Sequence, residues 1–317
     1  MTVAAVAGGC GGPHRTAQPL PASFEPVSLT AIDSRNFSLL GTVPCAAGRC
    51  YAIERTVDGG RSFTRTPAPR GLPTKGTTPT LRFANARDGF VWVPFGWGTF
   101  YVTHDGGASW RHIASPALVA LTTSGGEAYA VLARCRPSGC DRYRFARGPV
   151  HATGWTESPL PFIPDGPVVD LAAYGRRVWL LGTTRAPRLR HDTLARSSDG
   201  GRTFASGAGP CVPGLGGTLV PSSARVLWAV CPTGMLAGAA RSTDGGVTFA
   251  ALHTPQLANS GRIVPSSDEA AILDPGGAGR PLYRTVDSGA TWRLAHLPAD
   301  AVILSGVVFA RPRVVSR

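Results

Sequence analysis

Lysine is nearly missing. Lys75 is the one lysine in 317 residues, although Lys and Arg together number 32, so the cationic charge is almost all arginine. Glutamate is scarce too: Glu25, Glu54, Glu127, Glu157 and Glu269 are the full set, and none sits in a context that would activate a tyrosine nucleophile. No apolar run approaches 18 residues, which excludes an encoded transmembrane helix. Gly-x-Ser-x-Gly, His-Glu-x-x-His and the Gly-Lys-Ser/Thr phosphate loop are all missing, which removes the commonest hydrolase, zinc-protease and nucleotide-binding signatures. The histidines, at positions 14, 104, 112, 151, 191, 253 and 296, show no metal-ligand spacing, so no metal and no other cofactor is expected. Without a basic run or an RNA-binding signature, nucleic acid is not an expected partner.

What is present points to a folded, turn-rich chain. Hydrophobic residues make up 43%, ample for a core, while 40 glycines and 28 prolines call for many tight turns. The length exceeds one ordinary core, so either several domains or one closed repeat is required. The net charge of +13 fits both a plain arginine-rich composition and affinity for a polyanion.

Seven cysteines leave one over. Cys45 and Cys50 are five apart, Cys135 and Cys140 repeat that spacing, and Cys211 with Cys231 forms a third candidate pair. Disulfides are the expected reading and imply an oxidising compartment; zinc competes, because both short pairs have four intervening residues. Cys10 remains. Val6-Ala7-Gly8-Gly9-Cys10 resembles a bacterial lipobox, although it lacks a leucine three residues before the cysteine and the apolar stretch of an export signal. The expectation is that Cys10 is lipidated, that the signal lies upstream of Met1, and that residues 1–22 are a lipobox-like segment and flexible tether before a domain spanning 23–317.

Self-similarity dominates the rest. Thr56-Val57-Asp58-Gly59-Gly60-Arg61-Ser62-Phe63 recurs at Thr103–Trp110, Ser197–Phe204, Ser242–Phe249 and Thr285–Trp292. The aspartates, Asp58, Asp105, Asp199, Asp244 and Asp287, are 47, 94, 45 and 43 residues apart. The gap of 94 spans two periods and predicts a degraded copy near residue 150, where Gly154-Trp155 keeps the aromatic. The pattern resembles the Asp-box, or BNR, repeat, whose family comprises β-propellers: sialidases, sortilin-type receptors and a photosystem II assembly factor among them.

A unit of this size accommodates four short strands, one propeller blade. The expected fold is all-β, a propeller of six to seven four-stranded blades, with a seven-bladed plan and an incomplete last blade favoured. The tail Ala301–Ala310 reads as the first strand of that last blade. Apolar runs such as Phe90–Val93, Ala128–Leu132, Val178–Leu181 and Val226–Val230 read as second strands buried between blades. In each repeat the Asp accepts bonds from its own turn, the second glycine (Gly60, Gly107, Gly201, Gly246, Gly289) takes positive φ, and the closing Phe63, Trp110, Phe204, Phe249 or Trp292 packs inward. These are structural roles.

In that plan the turns between strands three and four share one end of the propeller, and the three cysteine pairs fall at the opposite end. That opposite end also gathers Arg134 and Arg136, the loop with Arg185, Arg188, Arg190 and His191, and the aromatics Phe95 and Trp97. Arginine forks suit carboxylate or phosphate groups, and aromatic faces suit sugar rings or apolar side chains. The functional expectation is an extracytoplasmic, lipid-anchored or secreted monomer that binds a cell-envelope protein or an acidic glycan, with the membrane touched through the anchor only. The alternative is an exo-sialidase or related glycoside hydrolase. The resemblance implies for it a Tyr nucleophile, a Glu, an Asp acid/base and three arginines; no Arg-Ile-Pro stands near the start, and Arg262-Ile263-Val264-Pro265 is late and interrupted, so no catalytic residue is assigned.

Overall fold

Each repeat unit folds into one four-stranded antiparallel sheet, strands in chain order from the inside outward. The computed structural model describes residues 18–295 and 301–310, apart from 47, 74–75, 95–98, 137–138, 153, 186–189, 277–279 and 305–306. Blade 1 holds β1 (Glu25–Ala31), β2 (Phe37–Cys45), β3 (Gly48–Thr56) and β4 (Thr64–Pro67); blade 2 holds β5 (Thr80–Phe83), β6 (Gly89–Trp92), β7 (Phe100–Thr103) and β8 (Arg111–His112). Blade 3 is β9 (Ala117–Ser124), β10 (Glu127–Arg136), β11 (Gly139–Pro149) and β12 (Thr156–Pro159); blade 4 is β13 (Pro164–Tyr174), β14 (Arg177–Arg185), β15 (Arg190–Ser197) and β16 (Ala205–Ala208). Blade 5 is β17 (Thr218–Pro221), β18 (Leu227–Pro232), β19 (Leu236–Ser242) and β20 (Ala250–Ala258); blade 6 is β21 (Arg262–Pro265), β22 (Ala271–Asp274), β23 (Tyr283–Thr285) and β24 (Arg293–Leu294).

The second strands are buried on both faces because neighbouring blades sandwich them. Phe90 and Val91 in β6, Val131 in β10, Leu180 in β14, and Leu227 and Trp228 in β18 are all fully buried. The core is accordingly a series of interblade layers: Leu40, Ile53, Leu81 and Phe83 between blades 1 and 2, then Phe90, Phe100 and Leu132 between blades 2 and 3, and so on around the ring. First strands lie side by side about the axis, β1 against β5, β5 against β9, and onward to β21. They are joined by side chains rather than a ladder: Leu81 N–H donates to Ser28 Oγ and Phe83 N–H to Thr30 Oγ1, both at 3.0 Å.

The molecule is a six-bladed propeller, and the seven-bladed expectation is corrected. Instead of one long first strand, β25 (Ala301–Leu304) and β26 (Val307–Ala310) pair antiparallel with each other, and both lie against β1. Gln18 makes an antiparallel bridge to Phe63, and Leu20 and Phe24 are buried with Leu29, Leu39 and Phe63, so the chain packs on blade 1 from Gln18 onward.

Candidate binding site

The five repeated turns have one geometry. In each, the leading Ser or Thr hydroxyl accepts the second glycine's N–H at 2.8–2.9 Å: Thr56 from Gly60, Thr103 from Gly107, Ser197 from Gly201, Ser242 from Gly246 and Thr285 from Gly289. Each aspartate then accepts the N–H and the hydroxyl of the residue four further on, as Asp199 does from Thr203 at 3.0 and 2.7 Å. These bonds favour the ionised form, so all five carboxyls are held below the usual range; the Ser109 hydroxyl takes Asp105 to about 2, and the Thr291 hydroxyl does the same for Asp287. Both glycine positions adopt positive φ, not the second alone, and Ser288 accepts that conformation without being glycine. Of the closing aromatics only Phe63 is buried; Trp110, Phe204, Phe249 and Trp292 are half-buried, packed for instance against Phe83, Phe145 and Trp228.

A second regularity escaped sequence reasoning. The first of the two turn positions donates its N–H to a carbonyl in the strand-one-to-two turn of the same blade: Gly59 to Arg35, Gly106 to Arg87, Gly200 to Arg176, Gly245 to Arg225, and Ser288 to Glu269. Val150, in the degraded copy, does the same to Gly126, and Trp155 packs on Phe90 and Phe100. An Asp, Asn or Ser two residues before Arg35, Arg87, Arg225 and Glu269 caps that turn and was the available signal.

Cys45–Cys50, Cys135–Cys140 and Cys211–Cys231 are disulfide-bonded, which sets zinc aside and points to an oxidising compartment. Topology puts all three at the end opposite the aspartate turns: the first two close the β2–β3 and β10–β11 hairpins, and the third ties the β16–β17 connection to the end of β18. Three carboxylates at this end are engaged. Glu25 pairs with Arg49 at 3.0 Å, Asp274 accepts the Gly276 N–H at 2.9 Å, and Asp141 takes a bidentate grip from Arg134 at 3.0 and 2.9 Å. Arg134 is therefore already partnered, whereas Arg70, Arg136, Arg142, Arg262 and Arg280 are exposed and form no ion pair among the described residues. Arg185 faces Arg190, and Thr184 faces His191, across the β14–β15 pair; the side chains of these two arginines and the histidine, and the whole of Phe95, Trp97, Arg188 and Cys10, lie outside the described residues.

The axis itself forms a cavity of about 510 Å³ to which all six first strands contribute. Its ionisable groups are Arg82, Asp170 and Arg262. Period-two alternation sets them there: Leu81 and Phe83 flank Arg82, Val169 and Leu171 flank Asp170, and those apolar neighbours turn into the interblade core. An ionisable residue between two apolar ones in a first strand was the signal, and it was not taken up in the sequence reading. Arg82 Nη2 donates to Thr122 Oγ1 at 2.7 Å, and burial lowers its affinity for the proton. Asp170 accepts the Leu219 N–H at 2.6 Å, yet burial outweighs that bond and pushes the carboxyl up to about 6. Such a channel can hold an anionic group at Arg82 and exchange a proton at Asp170 near neutrality.

Neither a protein-family model nor a curated protein sequence matches the chain. Among solved structures it is similar to a puromycin-hydrolyzing peptidase of Mycobacterium tuberculosis, with a TM-score of 0.52 and 14% identity over 86% of this chain and 48% of that one. It is also similar to YCF48 bound to D1 peptide (TM-score 0.46, 16% identity, 81% of this chain and 91% of that one). A third is the GH74 xyloglucanase of Xanthomonas campestris (TM-score 0.39, 14% identity, 87% of this chain and 67% of that one). The likeness to the peptidase is one of fold, and this chain spans about half of its length.

Proposed function

We propose that the chain is an Asp-box propeller working outside the cytoplasmic membrane, held there by a lipid on Cys10. It acts as a binding or assembly scaffold for an envelope protein or an acidic glycan. The observation that carries this reading is the charge layout of the disulfide-bearing end, where Glu25, Asp141 and Asp274 are engaged while five exposed arginines form no ion pair among the described residues. Disulfides hold three of the loops there, which lowers the ordering cost of binding.

A glycoside hydrolase of sialidase type is the second reading, favoured by Asp170, its pKa raised by burial, in the same cavity as Arg82 and Arg262. Against it, the described lining offers one carboxylate and no tyrosine, whereas retaining hydrolysis needs a nucleophile and an acid together. Incubation with a fluorogenic sialoside decides between them. The scaffold reading expects no release above buffer; turnover that disappears in Asp170→Asn would replace it with the hydrolase.

A further inference from the structure

Exposed apolar side chains at the disulfide-bearing end are concentrated in one corner. Val212 and Leu215 stand in the β16–β17 connection, Met235 and Leu236 at the β18–β19 turn, and Met235 is 90% exposed. The Cys211–Cys231 bridge ties the two segments together. Gly214 and Gly216 flank Leu215, and Gly234 precedes Met235, all with positive φ, so both apolar residues ride on tight turns. Residues 209–217 and 231–238 contain no ionisable side chain at all. Ile163, in the neighbouring β12–β13 connection, is 86% exposed. Exposed apolar residues at the aspartate-turn end, Ile32, Val57, Tyr174, Val247 and Val286, are scattered over four blades, and three of them adjoin ionised aspartates. Scattered ones need no explanation, and a contiguous set does.

We propose that this corner inserts into the headgroup layer of an anionic membrane. The side chains project on turns instead of lining a groove, which suits a fluid layer better than a preformed protein pocket. Arg262 at the start of β21, where it also lines the axial cavity, and Arg280 in the β22–β23 connection are both exposed, form no ion pair among the described residues, and come from the adjoining blade at the same end. Arginines beside an inserted apolar tip match the negative surface of anionic lipid, and the five turn aspartates, ionised at neutral pH, sit at the far end, away from it. Contact at a corner leaves Arg70, Arg136 and Arg142 on blades 1–3 open to a partner. The inference takes its location from the proposed function, but not its mechanism, which needs no acyl chain.

The test is sedimentation of the full chain carrying Cys10→Ser with vesicles of phosphatidylglycerol and phosphatidylethanolamine, against vesicles of phosphatidylcholine. Binding to the anionic vesicles is expected, falling about tenfold in Leu215→Asp/Met235→Asp and weakening in Arg262→Gln/Arg280→Gln. Val57→Asp/Val286→Asp should bind like the parent. A Met235→Trp chain should show a blue-shifted emission with anionic vesicles, which reports insertion apart from any change in yield. No binding by the Cys10→Ser parent, equal binding to both vesicle types, or full binding by the Leu215/Met235 variant each overturns the proposal. Mass measurement of Cys10 in the native membrane fraction tests the anchor separately, so an unmodified Cys10 would sink the anchor and leave the corner standing.

Discussion

At the residue scale, two kinds of carboxylate show opposite pH behaviour. The turn aspartates are depressed, so the stability they add is complete above about pH 4 and is lost as pH falls through the folded value. Asp105, held near 2 by Ser109, is the convenient probe. Asp105→Ala should melt a few degrees below the parent at pH 7, with the gap closing as the pH approaches 2; a gap independent of pH would mean the carboxylate's charge does not matter. Asp192 behaves the other way. It is 6% exposed, its Oδ2 accepts the Cys211 N–H at 2.8 Å, its Oδ1 has no hydrogen-bond partner among the described residues, and burial pushes it up to about 6. A raised carboxyl contributes stability that is complete below about pH 4 and lost as pH rises through about 6. Asp192→Asn keeps an acceptor for Cys211 and removes the buried charge. It should therefore stabilise the protein by on the order of 2–3 kcal/mol at pH 8 and leave it unchanged at pH 4 in thermal melts. Equal melting at both pH values would show that Asp192 ionises freely in the fold.

At the scale of elements, the second strands and the turns were legible because each announces itself locally. Four apolar residues in a row bounded by turn signals must be buried on both sides, and Phe90–Val93 or Val178–Leu181 are. A Ser/Thr-x-Asp-x-Gly corner carries most of its own hydrogen-bond partners, so its geometry is written locally, apart from the one N–H it gives to the strand-one-to-two turn. First strands were harder, since Thr80–Phe83 and Arg262–Pro265 are four residues long and their inward arginines read as surface residues until six such strands meet at an axis. The C-terminal segment was misread because Ser305-Gly306, a turn signal inside the apolar run 301–310, was passed over. The cysteine pairs were readable from spacing plus register, and their energetics follow from loop length. Cys45–Cys50 and Cys135–Cys140 close five-residue separations and Cys211–Cys231 one of 20. On chain entropy alone the short bridges contribute about 2 kcal/mol each and the long one about 3. Replacing Cys211 and Cys231 together by serine should lower the denaturation midpoint more than replacing either short pair. The reverse order would mean that native-state packing, not the unfolded chain, sets their worth.

For the whole molecule, the fold turns a uniform arginine excess into a polar object. The repeat places one ionised aspartate per turn, five in all, at one end of the propeller, where they stand beside Arg35, Arg87, Arg176 and Arg225 and offset them. No such recurring carboxylate exists at the other end, where Glu25 and Asp141 are consumed by Arg49 and Arg134. The positive excess of the described residues is therefore expressed mainly at the disulfide-bearing end, and long-range attraction for polyanions should be directional. Arg70→Gln/Arg136→Gln/Arg142→Gln and Arg35→Gln/Arg87→Gln/Arg225→Gln remove the same formal charge from opposite ends. Net charge alone would weaken retention on immobilised heparin equally in both. The charge layout instead requires the first triple to elute at clearly lower salt and the second to elute close to the parent, and because exposed pairs are screened within about 10 Å at 0.1 M salt, the contrast should be greatest at low ionic strength. Indistinguishable elution would show that the aspartate turns do not neutralise their end, and the disulfide-bearing end would lose its claim as the polyanion-binding surface.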